Sequence, residues 1–304
     1  MAPIALETDT TIAATAISKP ADSIHTSIYY HVPDPKHLTE KPYDLRYDAR
    51  GVIPQKNYDD EPHVVTIQNF RRFQTQSTDA KAFEEFGFCT RKIEIEGGRG
   101  RFGVEEAEDE EIVRERYYPA IDRMLRGMFH GVKGIVVLEP VLRKRDEKYH
   151  PEARQEYDDP QPVSVTHIDF TPYSCDKISR AMTSAPAKWS GVLALNVWKS
   201  FHAGNDWPLA LCDSRTVDRN HDTIPADVVF HNRFVENQRV YYNPAHQWYY
   251  VKDLQDDEVI VFRQDFTGIE GGGGVAHCGV HNPDADEGAK ARESLEVRAF
   301  VFLE

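Results

Sequence analysis

A series of short, strand-like runs fills the second half of the sequence and most constrains its fold. The runs are rich in β-branched and aromatic residues, turn-rich segments separate them, and few helical patterns lie among them. They read IVVLEPVLRKR, VSVTHIDF, GVLALNVWKSF, LALCDSRTV, VYYNPAHQWYYV, EVIVFRQDF, GVAHCGVHN and SLEVRAFVFL. Many short strands spaced by turns are typical of a β-sandwich or barrel. The sequence therefore predicts a mainly β fold with flanking helices.

One helical pattern precedes these strands, over residues 106–129. Acidic residues cluster at its start, where they suit the helix dipole, and apolar residues then recur at helical spacing. Pro119 predicts a kink or a restart within the helix. We expect the apolar stripe to pack against a sheet.

The chain reads as one domain behind a short leader. Residues 1–24, rich in Thr, Ala and Ser, predict a disordered leader, and residues 25–304 predict a single domain. Within it, 25–134 forms an extended, wrapping and helical part and 135–304 forms the β core. A chain of 304 residues with 40% hydrophobic content can bury one large core.

Charge and cysteine content limit the class of partner. The formal net charge of -14 argues against a nucleic-acid or anionic-membrane partner, because either needs a basic face. Four widely spaced cysteines without a CxxC pair predict reduced thiols. The sequence shows neither a signal-peptide pattern nor an apolar stretch of about 20 residues. We expect a soluble cytoplasmic protein that acts on a small molecule, with a homodimer as one possible assembly.

The segment VTHIDF carries the first candidate ligands. On a strand, alternate residues face the same side, so His167 and Asp169 can reach one metal ion while Ile168 packs on the opposite face. A third ligand could come from GVAHCGVHNP, as His277 or as His281. Two histidines and one carboxylate leave coordination positions open, which suits non-haem iron(II). A structural zinc site would need a fourth ligand.

The last strand-like run adds a second, independent pattern. Its polar residues alternate along one face: Arg292, Ser294, Glu296 and Arg298. An arginine that faces a sheet core needs a partner, since an unpaired buried charge is costly. A carboxylate ligand suits it, because guanidinium binds carboxylate through two parallel hydrogen bonds.

The HxD pair, the distal histidine and the following Arg-x-Ser together resemble the Fe(II)/2-oxoglutarate-dependent oxygenase superfamily. Within it, the chain is similar to the fungal hydroxylase/desaturase group that includes gibberellin-desaturase-like and meroterpenoid-modifying enzymes. The likeness covers about residues 135–303. One departure is Ala276 before His277, where proline is more usual.

The resemblance implies a double-stranded β-helix core (jelly-roll, cupin-like) with an N-terminal helical and extended cap. It implies His167, Asp169 and His277 as the catalytic iron ligands. It also implies that Arg292, helped by Ser294, binds the distal carboxylate of 2-oxoglutarate, with Arg298 as the competing anchor. Asn196 and Lys199, on a neighbouring strand, are candidates for contacts with 2-oxoglutarate or substrate.

The implied function is oxidation of a small natural product in secondary metabolism, with iron(II), 2-oxoglutarate and dioxygen. Hydroxylation, desaturation, oxidative cyclisation and peroxide formation all remain open, as does the substrate. Two alternatives differ in class. One is a non-catalytic or accessory jelly-roll subunit, and the other is a cupin-like metal enzyme that does not use 2-oxoglutarate and would not require Arg292.

Overall fold

Fourteen strands and six α-helices make up the described part of the computed structural model, which covers residues 22–74, 79–97, 102–151, 157–183, 189–203, 206–267 and 273–304. The strands are β1 (Ser23–His31), β2 (Tyr43–Leu45), β3 (Asp60–Asn69), β4 (Phe88–Lys92), β5 (Val132–Lys144), β6 (His167–Ile168), β7 (Gly191–Ser200), β8 (Leu209–Cys212), β9 (Thr223–Val229), β10 (Phe234–Val240), β11 (Trp248–Tyr250), β12 (Glu258–Thr267), β13 (His277–Gly279) and β14 (Glu293–Leu303). The helices are α1 (Arg71–Gln74), α2 (Asp79–Phe86), α3 (Val104–Ala107), α4 (Glu110–Ile112), α5 (Tyr118–Met128) and α6 (Pro172–Ala181).

The strands form two sheets. One has nine strands in the order β1-β3-β11-β8-β13-β6-β10-β9-β2, and the other has five in the order β4-β12-β7-β14-β5. Neighbouring strands are antiparallel except for the β11–β3 and β2–β9 pairs. The predicted β core is therefore confirmed.

The nine-stranded sheet curls back on itself. Isolated bridges join Tyr29 of β1 to Val165, and His31 of β1 to Tyr241, so the edge strand β1 reaches the strand segments around β6 and β10. The curl encloses a core of apolar side chains from β1, β3, β6, β8, β10, β11 and β13. Ile168 is fully buried in this core, which confirms that it points away from its two polar neighbours.

The five-stranded sheet packs its outer face against helix α5. Leu195 and Val197 of β7 share a core with Ile121 and Leu125 of α5. Pro119 lies in the first turn of α5, directly after a π-helical turn at Val113–Tyr117. The predicted helix therefore restarts at its proline and packs against a sheet, as expected.

The inner faces of the two sheets meet. Phe170, just after β6, packs on Phe300 of β14 with ring centroids 5.5 Å apart, and Phe262 of β12 contacts the ring of His277 in β13 at 4.8 Å. Two curled sheets packed face to face in this way form the double-stranded β-helix, or jelly roll. The space between them is where polar side chains of both sheets converge.

The N-terminal part supplies strands as well as helices. β1 and β3 belong to the nine-stranded sheet, and β4 belongs to the five-stranded sheet, so this part supplies strands to both. Most of the predicted leader lies outside the described residues, although Ser23 and Ile24 already form the start of β1. All four cysteines are buried and free, as predicted. No helix in the described ranges is long and apolar enough to span a membrane.

Candidate metal centre

Three predicted ligands lie together between the sheets. His277 of β13 is the direct cross-strand partner of His167 in β6, and their ring centroids are 4.4 Å apart. Asp169 follows β6, with Oδ1 3.6 Å from His167 Nε2 and Oδ2 3.9 Å from His277 Nε2. One ligand atom from each residue lies within 4.8 Å of the others. The register of β6 and β13 therefore brings together residues far apart in sequence.

Hydrogen bonds orient both imidazole rings. Nδ1 of His167 lies 2.9 Å from the carbonyl oxygen of Val165, and Nδ1 of His277 lies 3.0 Å from that of Val275. A carbonyl only accepts, so each ring carries its proton on Nδ1 and leaves Nε2 free towards Asp169. Burial, with repulsion from His167, lowers the pKa of His277 to about 3. His277 is therefore neutral at pH 7, the form that binds a metal.

Two amide side chains hold Asp169, one at its carboxylate and one at its main-chain N–H. Asn196 of β7 donates from Nδ2 to Oδ2 at 2.7 Å, and the Asp169 N–H donates to Gln264 Oε1 at 2.7 Å. Gln264 lies at a bulge of β12, and Gly274 passes so close that a Cβ there would lie 2.2 Å from the Gln264 carbonyl oxygen. Burial opposes ionisation of Asp169, but the charge of Arg298 and contact with the histidines hold its pKa well below its usual range.

The donor set fits an iron(II) ion with open positions. Two Nε2 atoms and one carboxylate oxygen converge from one side, the arrangement of non-haem iron oxygenases. Within the described residues, the buried atoms Asn196 Oδ1 and Gln264 Nε2 have no hydrogen-bond partner. Buried polar atoms are normally satisfied, so both could bond a water or ligand beside the carboxylate.

The two candidate arginines occupy different environments. Nε of Arg298 lies 3.8 Å from Asp169 Oδ2 and 3.8 Å from Glu296 Oε1, and its side chain is 30% exposed. Its charge is thus already matched by two carboxylates. This pairing favours a role beside Asp169 over that of an anchor for an added anion.

Arg292 is buried and stands without an ion-pair partner among the described residues. Its Nε donates to Ser294 Oγ at 3.0 Å, its Nη1 donates to the Trp207 carbonyl at 3.3 Å, and its guanidinium lies 4.9 Å from the centre of the Trp198 ring. Burial, followed by repulsion from Arg143, lowers the pKa of Arg292 to about 10, so it stays charged at neutral pH. A buried unpaired cation favours binding of an anion.

Gly279 makes room for Arg292 near the histidines. A Cβ at Gly279 would lie 2.9 Å from Pro162 Cβ, 3.1 Å from Arg292 Nη1 and 3.2 Å from Trp207 Cδ1. Gly279 and His277 are alternate residues of β13, about 7 Å apart on one face. A dicarboxylate bound at the three-residue cluster could therefore extend past Gly279 to Arg292.

A cavity of about 580 Å³ borders the same edge of β13. Gly279, Trp207 and Tyr149 are among its lining residues, together with Ser164 and His281. Its size is in the range of small-molecule sites.

The remaining candidates fall outside the cluster. His281 is exposed and its ring lies 5.3 Å from Trp207, so it does not join the other ligands. Lys199 donates from its ammonium group to the carbonyl of Asp256 at 2.5 Å. Gln264 was not predicted, because its contact depends on the bulge in β12.

Comparisons with known proteins identify a matching family and several related enzymes. The family described as "Oxidoreductase/YMDC permease-like domain" matches residues 28–302. A hydroxylase/desaturase of Hormonema carpetanum, efuI, is 26% identical over 216 residues, or 64% of this chain and 72% of that protein. The Fe(II)/2-oxoglutarate-dependent dioxygenase nvfI of Aspergillus novofumigatus is 26% identical over 212 residues, or 64% of this chain and 69% of that protein.

A solved structure extends the likeness over nearly the whole fold. The iron and alpha-ketoglutarate-dependent endoperoxidase NvfI superposes with a TM-score of 0.77 at 20% identity, covering 93% of this chain and 99% of that one. This likeness confirms the jelly-roll fold. The chain belongs to the oxidoreductase/YMDC permease-like family and, with these relatives, to the fungal Fe(II)/2-oxoglutarate-dependent oxygenases.

Proposed function

We propose that this enzyme oxidises a small fungal secondary metabolite, with His167, Asp169 and His277 as the iron ligands and Arg292 as the anchor of 2-oxoglutarate. The observation that carries the proposal is the pair of histidines with free Nε2 atoms beside one carboxylate. The buried guanidinium of Arg292 lies close to Gly279, two residues along β13 from His277. Iron(II), when bound, supplies dioxygen activation coupled to decarboxylation of 2-oxoglutarate to succinate and CO2.

The protein's own contribution is position and exclusion of water. Asn196 fixes one oxygen of Asp169, and the main-chain carbonyls fix both imidazole rings. Arg292 and Ser294 offer donors to the distal carboxylate, and the two sheets enclose the centre. Buried donors act more strongly there than in water.

The reaction outcome depends on where the substrate lies. The relatives carry names that include hydroxylase, desaturase and endoperoxidase, so one fold serves several oxidative outcomes. We propose an outcome within this range. Screening candidate substrates for coupled succinate release would identify both the substrate and the product.

Stepwise addition under anaerobic conditions tests the proposal. Iron(II) followed by 2-oxoglutarate should give the weak visible charge-transfer band of the chelate, and the band should need both additions. His167→Ala should abolish it, whereas His281→Ala should keep it. A protein with no band and no succinate formation in air would instead fit the accessory-subunit alternative.

The variants Arg292→Ala and Arg298→Ala test which of the two arginines binds 2-oxoglutarate. We expect Arg292→Ala to weaken 2-oxoglutarate binding, read from the charge-transfer band, while its metal affinity is kept. Arg298→Ala should lower metal affinity instead, because Arg298 lies against Asp169. Normal 2-oxoglutarate binding by Arg292→Ala, together with weakened binding by Arg298→Ala, would assign the anchor to Arg298 instead.

The sequence-based expectations of a cytoplasmic location and a possible homodimer stay predictions. Subcellular fractionation and light scattering of the purified protein would test them.

A further inference from the structure

A second arginine stands beside Arg292. Arg143 of β5 is the direct cross-strand partner of Ser294 in β14, and directly opposed residues of an antiparallel pair point to the same face. Ser294 is also the residue whose hydroxyl accepts from Arg292 Nε at 3.0 Å. The two arginines therefore flank one serine on the inward face of the five-stranded sheet.

The contacts of residues 161–162 also show that the two guanidinium groups lie close to each other. Nη1 of Arg143 donates to the Gln161 carbonyl at 2.8 Å. The next residue, Pro162, lies against Gly279, at a point where a Cβ added to the glycine would also lie 3.1 Å from Arg292 Nη1. Both cations thus border the same short stretch of backbone, next to the cavity edge at Gly279.

Neighbouring charged side chains form ion pairs, whereas these two guanidinium groups form none with the described residues. Arg145, two residues after Arg143, pairs with Asp206 at 2.8 Å, and Lys144 on the opposite face pairs with Glu108. Glu296, the acid on the inward face of β14, lies 3.8 Å from Arg298. Among the described residues, neither the Arg143 nor the Arg292 guanidinium has a carboxylate oxygen within 4.0 Å, although the main-chain N–H of Arg292 donates to Asp206 Oδ2 at 3.2 Å.

Two unpaired cations on one inward face repel each other, and an anion between them removes the repulsion. A carboxylate offers about four lone-pair sites, enough to accept from two guanidinium groups and the Ser294 hydroxyl. We propose that Arg143 is a second binding residue for the distal carboxylate of 2-oxoglutarate, opposite Arg292. This inference rests on the proposed function and adds a residue outside the Arg-x-Ser pattern.

Binding of two 2-oxo acids to the anaerobic iron(II) protein tests the role of Arg143. 2-Oxoglutarate carries the distal carboxylate, and 2-oxovalerate has a methyl group in its place. Arg143→Gln should weaken 2-oxoglutarate binding about tenfold or more, as expected for loss of one charge-assisted contact, and leave 2-oxovalerate binding unchanged. Arg143→Lys should retain part of the affinity, because it keeps the charge.

Lys144→Gln is the matched control, since it also removes one positive charge from β5 but on the opposite face. It should bind both acids as the unaltered protein does. Equal 2-oxoglutarate affinity in Arg143→Gln and Lys144→Gln would overturn the inference about Arg143. The proposed function would still stand in that case, because the charge-transfer band would be present. An Arg143→Gln variant that keeps its 2-oxoglutarate affinity but has a higher KM for the organic substrate would also overturn the inference. That result would assign Arg143 to substrate binding. Absence of any band in the unaltered protein would instead contradict the proposed function.

Discussion

Asn196 determines which oxygen of Asp169 is available to a metal ion. Its Nδ2 binds Oδ2 at 2.7 Å, and Arg298 approaches the same oxygen, so Oδ1 is left towards His167. Hydrogen bonds to ligating side chains fix their orientation and typically account for about 10- to 100-fold in metal affinity. The amide of Asn196 is therefore part of the proposed metal centre, although it would not touch the ion.

We predict that Asn196→Ala lowers metal affinity about tenfold or more, measured by calorimetric titration with cobalt(II). Asn243→Ala is a matched control, because Asn243 makes the same kind of bond to Asp222, at 3.0 Å, outside the cluster. It should leave metal affinity unchanged. Equal metal affinity in the two variants would show that the Asn196 bond does not orient Asp169.

Gly279 is the second residue whose size matters. We predict that Gly279→Ala weakens 2-oxoglutarate binding, because the added Cβ would meet Pro162 and Arg292 at 2.9 and 3.1 Å and displace the guanidinium. Metal affinity should change little, since His277 keeps its register. The measurement is the charge-transfer titration.

Gly127→Ala serves as the control for adding a methyl group. Gly127 lies near the end of α5 with nothing within 4 Å of its added Cβ. Alanine should stabilise this helix by up to about 1 kcal/mol and leave both titrations unchanged. Normal 2-oxoglutarate binding by Gly279→Ala would mean that Arg292 adjusts without loss.

At the scale of elements, one ion pair joins α1 to β12. Arg71 donates from Nη1 and Nη2 to the two carboxylate oxygens of Glu258, at 2.8 and 2.5 Å, and from Nε to the carbonyl of Lys252. Burial raises the pKa of Glu258, but the bonds from Arg71 and from the Gln255 N–H outweigh it and lower the pKa below its ordinary value of 4.5. A lowered pKa means that folding favours the charged carboxylate.

The sign of the pH dependence follows from this shift. The contribution of Glu258 to the free energy of unfolding is complete above pH 4.5 and is lost as pH falls through its lower folded pKa. We predict that Glu258→Gln costs about 1–2 kcal/mol at pH 7 and progressively less below pH 4.5, measured by urea unfolding. Asp257→Asn, which removes a neighbouring but exposed pair with Lys92, should have a much smaller effect. A constant cost of Glu258→Gln across this pH range would contradict the assignment.

The strands also show which secondary structure the sequence patterns predict and which they do not. β7, β12 and β14 were predicted because strands buried on both faces read as continuous apolar runs. The hairpin of β9 and β10 was not, since its outer residues are half-exposed and mixed in character. The run VSVTHIDF yields only the two residues of β6, because Val165 pairs with β1 instead.

Prediction of the site residues from the sequence has the same limit. Alternation along a strand identified His167 with Asp169, and Arg292 with Ser294, because periodicity is a local property of the sequence. The contacts of Gln264 and Arg143 depend on a bulge and on the register between strands, which no local pattern encodes. The choice of Arg292 over Arg298 likewise required the positions of neighbouring carboxylates.

At the scale of the whole molecule, the proposed metal centre joins the two sheets. Asp169 and the histidines belong to the nine-stranded sheet, whereas Asn196 and Arg298 belong to the five-stranded sheet. The net charge of -14 does not oppose an anionic co-substrate there, because the local charge of the inward face includes several arginines. A ligand at this centre therefore contacts both halves of the fold and should stabilise all of it.

Thermal unfolding measures this coupling. A ligand that binds only the folded state at 100 times its Kd adds about 2.7 kcal/mol, which in a domain of this size raises Tm by about 5 °C. We predict such a rise on adding manganese(II), and a further rise on adding 2-oxoglutarate.

Asp169→Asn should lose both shifts, because the carboxylate no longer binds the metal. Asp213→Asn removes another buried, ion-paired aspartate and should lower Tm yet keep both shifts. Shifts of equal size in both variants would place the bound metal away from Asp169.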